Sequence, residues 1–244
     1  MKPTTFPIIL EDAFMISPKV KHFIFKSMQT PPFDYIPGQF ITIHFTHQDK
    51  LLRRSYSIAN VPTQNNRIEF AAGYVENGPG TELLFQLKPG DSINIIGPYG
   101  RLLLKPETPK RYILIATSTG ITPYRAMMAE LKQKLQADPE FKLVILQGVQ
   151  KREDILYKED FLTLLNDCPR VDFRTYLSRE ESVDVQSQEY KGYVQHAFPD
   201  LTLNPQEDIV YLCGNPSMID DAFAYLKDAG FTMQQVIREK YISN

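Results

Sequence analysis

The feature that most limits the fold is a change in the hydrophobic pattern near residue 106. Before it, short runs of alternating apolar residues follow Pro-Gly turns, as at residues 39–45 and 91–96. This pattern predicts an antiparallel β-barrel or sandwich. After it, short continuous apolar runs alternate with helix-like stretches. That pattern predicts strands buried on both faces of a parallel, doubly wound sheet.

The segment between the two patterns, residues 105–110, has the charged, proline-containing composition of a linker. We therefore predict two domains, an antiparallel β-barrel over residues 1–105 and an α/β domain over residues 106–244. The second domain is expected to contain a five-stranded parallel sheet. Four of its strands are predicted at residues 112–116, 142–146, 172–177 and 209–213, and its helices at 123–135, 158–166 and 217–229.

The composition excludes several classes of function. A net charge of −2 gives no reason to expect nucleic-acid binding. Two cysteines, Cys168 and Cys213, are too few for a disulfide scaffold or a four-cysteine iron–sulfur cluster. The four histidines lack metal-ligand spacing, so no metal site is expected. The chain has no apolar run near the roughly 20 residues that span a bilayer and no signal-peptide pattern, so we expect a cytoplasmic protein.

The first motif is Arg54-Ser55-Tyr56-Ser57, at the expected start of a strand. An arginine there can bind a pyrophosphate through two parallel hydrogen bonds. A tyrosine two residues later lies on the same face and can cover a flat ring. An ordinary half-exposed strand is the alternative interpretation.

The second motif is the glycine-rich segment 73–81, which leads into an apolar stretch. Thr81 is expected to be the N-cap of a short helix, whose free N–H groups suit a phosphate. A plain capped helix between two strands is the alternative. Residues 97–100, Gly-Pro-Tyr-Gly, are expected to form a tight turn that closes the barrel.

Two motifs follow strands of the second half. Residues 116–123 read Ala-Thr-Ser-Thr-Gly-Ile-Thr-Pro, in which Gly120 permits a sharp turn and Pro123 suits a first helical turn. Residues 213–218 read Cys-Gly-Asn-Pro-Ser-Met after the last long strand. The classical Gly-x-Gly-x-x-Gly dinucleotide fingerprint is not matched at the first of these loops.

In this order, the motifs resemble those of the ferredoxin–NADP⁺ reductase family, bacterial type, over roughly residues 15–241. The resemblance implies an FAD-binding barrel and an NAD(P)-binding α/β domain. It also implies hydride transfer between NADPH and FAD, and electron transfer between FAD and a one-electron carrier such as ferredoxin or flavodoxin. Because the chain has too few cysteines, any iron–sulfur cluster is expected on that separate partner.

The resemblance also implies roles for individual residues. Arg54 is expected to bind the FAD pyrophosphate, Tyr56 to stack on the flavin, and Ser57 to lie near the hydride-accepting flavin nitrogen. The full FAD-binding set is Arg54, Ser55, Tyr56, Ser57, Gly80, Thr81 and Tyr241.

In the second half, Thr119 and Gly120 are expected to contact the pyrophosphate of the nicotinamide nucleotide. Cys213 is expected beside the nicotinamide ring, with a buried structural thiol as the alternative. Near the C-terminus, Tyr241 is expected to shield the flavin. Glu239 is expected to move a proton or contact the partner, with a solvated charge as the alternative. Ser57, Cys213, Glu239 and Tyr241 form the expected catalytic set.

The choice of nucleotide depends on the residues that follow the strand at 172–177. Ser178 and Arg179 offer donors to a 2′-phosphate, and Arg152 is a candidate helper, which favours NADPH. The acidic pair 180–181 and the segment 192–194, which resembles NADH-using oxygenase reductases, keep NAD possible.

Other functions stay open: an NAD(P)H:flavin or quinone reductase, an NADH-using oxygenase reductase component, and a non-catalytic flavin-binding subunit. We expect a monomer. Five basic residues are candidates for attracting an acidic electron carrier, with scattered surface charge as the alternative: Lys50, Arg53, Lys105, Lys110 and Arg111.

Overall fold

The computed structural model describes residues 5–62, 66–107 and 109–241. These residues form two compact units. The first consists of Met1–Leu103 together with Thr122–Met127, and the second of Leu104–Ile121 together with Met128–Asn244. The first unit is therefore built from two separate stretches of sequence.

The first unit contains six antiparallel strands in the order β4-β3-β6-β1-β2-β5. The bridge between Ile58 and Phe70 brings the chain just after β4 to β5, the strand at the other edge. The antiparallel barrel is therefore confirmed. The elements are β1 (Phe6–Ser17), β2 (Val20–Ser27), β3 (Phe40–His47), β4 (Lys50–Ser57), β5 (Arg67–Gly73), the helix α1 (Pro79–Gln86) and β6 (Ser92–Tyr99).

Alternation of side chains explains why these residues form a barrel. On β3, Ile41 and Ile43 are buried while their neighbours are half-exposed. Phe23, Phe25 and Phe70 stack on one another in the interior, with centroids of Phe70 5.4 Å from both others. Such aromatic burial supplies much of the stabilisation of a small barrel.

Two details of the first unit differ from the sequence prediction, and a third concerns a strand that was not predicted. Arg54-Ser55-Tyr56-Ser57 lies at the end of β4, because the strand begins earlier at Lys50. Residues 97–99 belong to β6, where Tyr99 pairs with Phe40 after a register shift, so they do not form a turn. The 12-residue strand β1 is interrupted by an irregularity between Leu10 and Asp12, which hides its alternation in the sequence.

The second unit contains a sheet of six parallel strands in the order β10-β9-β8-β7-β11-β12. The parallel fold is confirmed, but the expected count of five strands was wrong. Neither edge strand was located from the sequence, because one has only three residues and the other is mostly charged. The strands are β7 (Arg111–Thr117), β8 (Lys142–Val149), β9 (Val171–Leu177), β10 (Glu189–Lys191), β11 (Asp208–Gly214) and β12 (Val236–Lys240).

Three helices accompany this sheet: α2 (Thr122–Ala137), α3 (Lys158–Asp167) and α4 (Pro216–Asp228). Each lies within two residues of its predicted bounds at either end. The first residues of α2, Thr122–Met127, group with the first unit. There the Arg125 guanidinium donates to the Ala59 carbonyl at 3.1 Å and to the Glu69 carboxylate at 3.2 Å.

The strand register determines where the loops of the second unit meet. Ala116 pairs with Cys213, Cys213 pairs with Glu239, and Val149 pairs with Leu177. Because all strands run in the same direction, the segments that follow them gather at one edge of the sheet. In open α/β sheets, ligands bind at this carboxyl edge.

Candidate functional site

The start of α1 lies against β4 in the first unit. A Cβ atom built on Gly80 would lie 2.8 Å from Arg54 Cγ and 3.5 Å from the Tyr56 hydroxyl oxygen. Only glycine allows this approach, because a Cβ at 2.8 Å forces a neighbour to move. Arg54 and Tyr56 share one face of β4, as their spacing of two requires. We refer to Arg54, Tyr56 and Gly80 as the barrel site.

The Tyr56 side chain is packed against an aromatic neighbour and stays neutral. Its ring stacks on Phe70 with centroids 5.0 Å apart. Burial raises the pKa of Tyr56 to about 12, against the lowering effect of the Arg54 charge. At physiological pH the side chain is therefore an oriented phenol with a hydrogen to donate.

The two serines of the motif alternate with Arg54 and Tyr56 along β4. The Ser55 hydroxyl is exposed and lies 2.9 Å from that of Thr42 on β3. Ser57 is the last residue of β4 and is buried. The two hydroxyls therefore have different surroundings, and Ser57 is the one removed from bulk water.

Thr81 is not the N-cap of α1, contrary to expectation. The helix begins earlier, at Pro79, because proline suits the first helical position. The Thr81 hydroxyl instead donates to the carbonyls of Val75 and Gly78, both at 3.1 Å, and accepts from the Val75 N–H at 3.2 Å. The N-cap is Gly78, which has no side chain to cover the first-turn N–H groups.

These residues fit a bound dinucleotide. A guanidinium, a glycine without a Cβ and an N-terminal helix turn without a side-chain cap together suit a pyrophosphate. A neutral, fixed phenol ring beside them suits a flat aromatic ring.

In the second unit, the loop after β7 contains the residues that were expected to bind the nicotinamide nucleotide. A Cβ on Gly120 would lie 2.3 Å from the Cys213 carbonyl oxygen. Close packing, and not a sharp turn at this residue, therefore requires the glycine, since the positive φ belongs to Ser118, at 48°. Thr119 lies in the same short 3₁₀ turn. Pro123 is in the first turn of α2, as predicted.

The Cys-Gly-Asn-Pro loop packs against Thr117, the last residue of β7. Gly214 has a φ of 120°, and a Cβ there would lie 2.5 Å from Thr117 Oγ1. The same Thr117 oxygen accepts the Asn215 N–H at 2.8 Å. The Asn215 side chain in turn accepts the Ser217 N–H at 2.8 Å and caps α4. We refer to Thr117, Gly120, Cys213 and Gly214 as the sheet-edge site.

Cys213 is the residue to which the C-terminal residues Glu239 and Tyr241 are connected. It is fully buried, pairs with Glu239 of β12, and shares a side-chain hydrogen bond with Tyr241. Burial raises the pKa of the Cys213 thiol well above its usual value, and the Glu239 charge adds to this effect. The thiol therefore stays protonated. The Tyr241 N–H donates to the Gly214 carbonyl at 2.8 Å, which positions its half-buried side chain.

Ser178 and Arg179 follow β9 at the same edge of the sheet. Their N–H groups donate to the carbonyls of Val149 and Gln150 at 3.0 and 2.8 Å. Arg179 is exposed and Ser178 is half-buried. Arg152, the expected helper, is bound by Glu189 through both carboxylate oxygens.

Sequence reasoning did not select Tyr193 as a site residue. The N–H of Gly192, the residue before Tyr193, donates to the carbonyl of Leu177, the last residue of β9, at 2.9 Å. The Tyr193 ring is 64% exposed and meets His196 edge-on. Nearby, Gln195 Oε1 is buried without a hydrogen-bond partner among the described residues. A glycine-aromatic pair directly after a short strand was the available signal.

Two of the five candidate basic residues are occupied. Lys110 binds Glu207 at 2.6 Å, and Arg111 binds the buried carboxylate of Asp208 at 2.6 Å. They therefore offer less charge to a partner than the sequence suggests. Among the described residues no His, Cys, Asp or Glu cluster could hold a metal ion. No helix in the described ranges is long and apolar enough to cross a membrane.

Comparisons with known proteins agree with this division. The sequence matches the oxidoreductase FAD-binding domain over residues 7–103 and the oxidoreductase NAD-binding domain over residues 114–223. It is 30% identical to ferredoxin–NADP reductase B of Sorangium cellulosum (strain So ce56), over 84% of each chain. It is 28% identical to the phenol hydroxylase P5 protein of Acinetobacter pittii (strain PHEA-2), covering 87% of this chain and 59% of that one.

A solved structure shares the fold. A ferredoxin–NADP⁺ reductase from Neisseria gonorrhoeae with bound FAD and NADP superimposes with a TM-score of 0.82 at 20% identity, over 98% of this chain and 99% of that one. The expectation of an FAD-binding and a nicotinamide-nucleotide-binding domain is confirmed by the two domain matches.

Proposed function

Because this chain belongs to the ferredoxin–NADP⁺ reductase family of FAD- and NAD-binding oxidoreductases, we propose that it is an NADPH-dependent ferredoxin or flavodoxin reductase. It transfers hydride between NADPH and FAD, and electrons between FAD and the one-electron carrier. The observation that carries the proposal is that each unit has its own glycine-lined site, at Gly80 and at Gly120.

In the barrel site, Arg54 binds the FAD pyrophosphate, and Gly80 and Thr81 present the start of α1 to it. Tyr56 stacks on the flavin, with Ser55 and Ser57 completing the set. Bound FAD supplies hydride acceptance and the release of electrons one at a time. The residues of the chain supply orientation and exclusion of water. The stacking of Tyr56 on Phe70, which orients the ring, supports this role.

At the sheet-edge site, Gly120 and its neighbour Thr119 bind the pyrophosphate of the nicotinamide nucleotide. Cys213 lies beside the nicotinamide ring as a neutral thiol. Tyr241 is proposed as the aromatic shield of the flavin, and Glu239 as a proton carrier or partner contact. The hydrogen bond between Cys213 and Tyr241 supports a joint role for these residues.

NADPH is favoured because Ser178 and the exposed Arg179, which directly follow β9, offer hydrogen-bond donors to a 2′-phosphate. The exposed Tyr193 offers a flat surface for the adenine ring. The proposed partner is ferredoxin or flavodoxin, and the proposed location of this monomeric enzyme is the cytoplasm.

The second candidate is an NADH-using oxygenase reductase component. It is favoured by the similarity to the phenol hydroxylase P5 protein and by the carboxylate of Glu180 directly after Arg179. A flavin or quinone reductase that binds flavin loosely is less well supported, because Arg54 and Gly80 form a built site. The non-catalytic subunit is the least supported, since it needs no sheet-edge site.

The test is anaerobic stopped-flow absorbance of the FAD-loaded protein, mixed separately with NADPH and NADH. Bleaching of the flavin at least 10-fold faster with NADPH is the expected result. The reduced protein should then reduce a ferredoxin or a flavodoxin. Faster bleaching with NADH would move the chain to the second candidate, and absence of bleaching by either nucleotide would refute the reductase function.

A further inference from the structure

The loops that follow β8 and β9 are joined through a buried carboxylate. The Glu189 side chain is 1% exposed and binds Arg152 through both oxygens. The Arg152 Nε lies 2.8 and 3.0 Å from Oε1 and Oε2, and Nη2 lies 2.7 Å from Oε2. This is the paired geometry in which arginine binds a carboxylate most strongly.

Further bonds extend the network along the loop after β9. Arg152 Nη2 also donates to the Ser182 carbonyl at 3.1 Å, and the Asp184 N–H donates to Glu189 Oε2 at 3.3 Å. Lys158 lies 3.7 Å from Glu189 Oε1. A buried carboxylate that lost Arg152 would be left largely uncompensated, so the Arg152 side chain is held in place by Glu189.

Glu180 is bound to the same loop. Its Oε2 accepts the main-chain N–H of Arg152 at 2.9 Å. Glu180 directly follows Arg179, so it is the acidic residue nearest in sequence to the proposed 2′-phosphate residues. A free carboxylate at such a position accepts hydrogen bonds from the ribose hydroxyls of NADH and repels a 2′-phosphate.

We propose that Glu189 and Arg152 are positioning residues for nucleotide selection, which hold the Glu180 carboxylate on the 151–154 loop. With Glu180 held there, Ser178 and Arg179 bind the 2′-phosphate of NADPH. This inference rests on the proposed function and deepens it. It assigns Arg152 an indirect role in place of the direct contact that the sequence suggested.

The test uses two ligands and binding alone. Dissociation constants of 2′-phospho-AMP and AMP are measured by calorimetry on the FAD-loaded chain, and their ratio is the readout. The release variant is Arg152→Gln with Glu189→Gln, which breaks the ion pair without changing the net charge. We expect the preference for 2′-phospho-AMP to fall at least 5-fold in this variant, because Glu180 is freed.

Glu180→Gln provides the decisive comparison. In the release background it should restore the preference, whereas in the wild type it should change the ratio less than 3-fold. Equal effects of Glu180→Gln in both backgrounds, or an unchanged ratio in the release variant, would overturn the inference. If the substitutions only loosened the loop, the binding of both ligands would weaken equally. That result would also count against the inference.

Two further variants complete the experiment. Asp172→Asn with Arg174→Gln breaks a charge-neutral pair elsewhere on β9 and should leave the ratio unchanged. Arg152→Lys keeps a charge opposite the buried Glu189 and loses only the paired geometry. Arg152→Lys should shift the ratio in the same direction by a smaller factor. The inference can therefore still be tested with this variant if the release variant does not fold.

The two proposals fail in different ways. A wild-type chain that binds 2′-phospho-AMP but does not bleach with NADPH refutes the reductase function and leaves the role of Glu189 standing. A wild-type chain that prefers AMP refutes the inference, because Glu180 is then not held away from the ribose.

Discussion

Replacing Gly80 by alanine is the sharpest perturbation of the barrel site. The new Cβ would lie 2.8 Å from Arg54 Cγ, and ordinary contact begins at 3.4 Å. The Arg54 stem must therefore retreat, and its guanidinium moves with it. Phe45 and the Tyr56 hydroxyl, both at 3.5 Å, already touch the new atom and limit the directions in which Arg54 can go.

The expected cost falls on FAD binding more than on folding. Overpacking costs about 1–3 kcal/mol, and the helix propensity of alanine offsets up to about 1 kcal/mol of it. Loss of one charged hydrogen-bonding arginine costs about 1.5–3 kcal/mol of binding energy. The dissociation constant for FAD should therefore rise about 10- to 150-fold.

The assay is titration of the apoprotein with FAD, followed by quenching of flavin fluorescence, with thermal unfolding of the same samples. Gly73→Ala is the matched control, because a Cβ there meets only Val20 Cγ2 at 4.0 Å. It should bind FAD within 3-fold of the wild type. An unchanged FAD affinity in Gly80→Ala, in a folded protein, would refute the assignment of Arg54 and Gly80.

Three other predictions concern the second unit. Gly120→Ala should weaken NADPH at least 10-fold by calorimetry while leaving FAD content unchanged, because its Cβ would meet the Cys213 carbonyl. A thiol reagent at pH 8 should label Cys168 but not Cys213 until the protein unfolds, as mass spectrometry of the modified peptides would show, because Cys213 is buried and its pKa is raised. The hydrogen bonds of Arg152 lower the pKa of Glu189 below its usual 4.5, so the stability it contributes is present above that value and lost as pH falls through the lowered pKa. The difference in unfolding free energy between the wild type and Glu189→Gln, from urea titrations at pH 3 to 6, should therefore shrink towards the acid end.

The strands that sequence reasoning found are those whose pattern is uninterrupted. β3 alternates cleanly through Ile41 and Ile43, and β7 is a continuous apolar run. β12 was not located, because Arg238, Glu239 and Lys240 fill most of its length with charge. It joins the sheet through backbone pairing with β11, a tertiary contact that leaves no local pattern.

The candidate site also depends on contacts between distant segments, which leave no local sequence pattern. The sequence marked Gly80 and Gly120 as residues of loops that bind pyrophosphate, but not which residues pack against them. Arg54 and the Cys213 carbonyl are distant in sequence from these glycines. The misassigned Thr81 follows from the same cause, since its hydroxyl is taken by Val75 and Gly78 within a loop that local preference does not specify.

The grouping of Thr122–Met127 with the first unit has a consequence for synthesis of the chain. Arg125, which binds Ala59 and Glu69, is made after the whole of β7, the first strand of the second unit. During synthesis, the first unit therefore stays incomplete until β7 and the start of α2 have been made. A protein fragment that ends at the proposed boundary, residue 105, lacks Thr122–Met127. We expect it to be cleaved by proteases faster than the full chain.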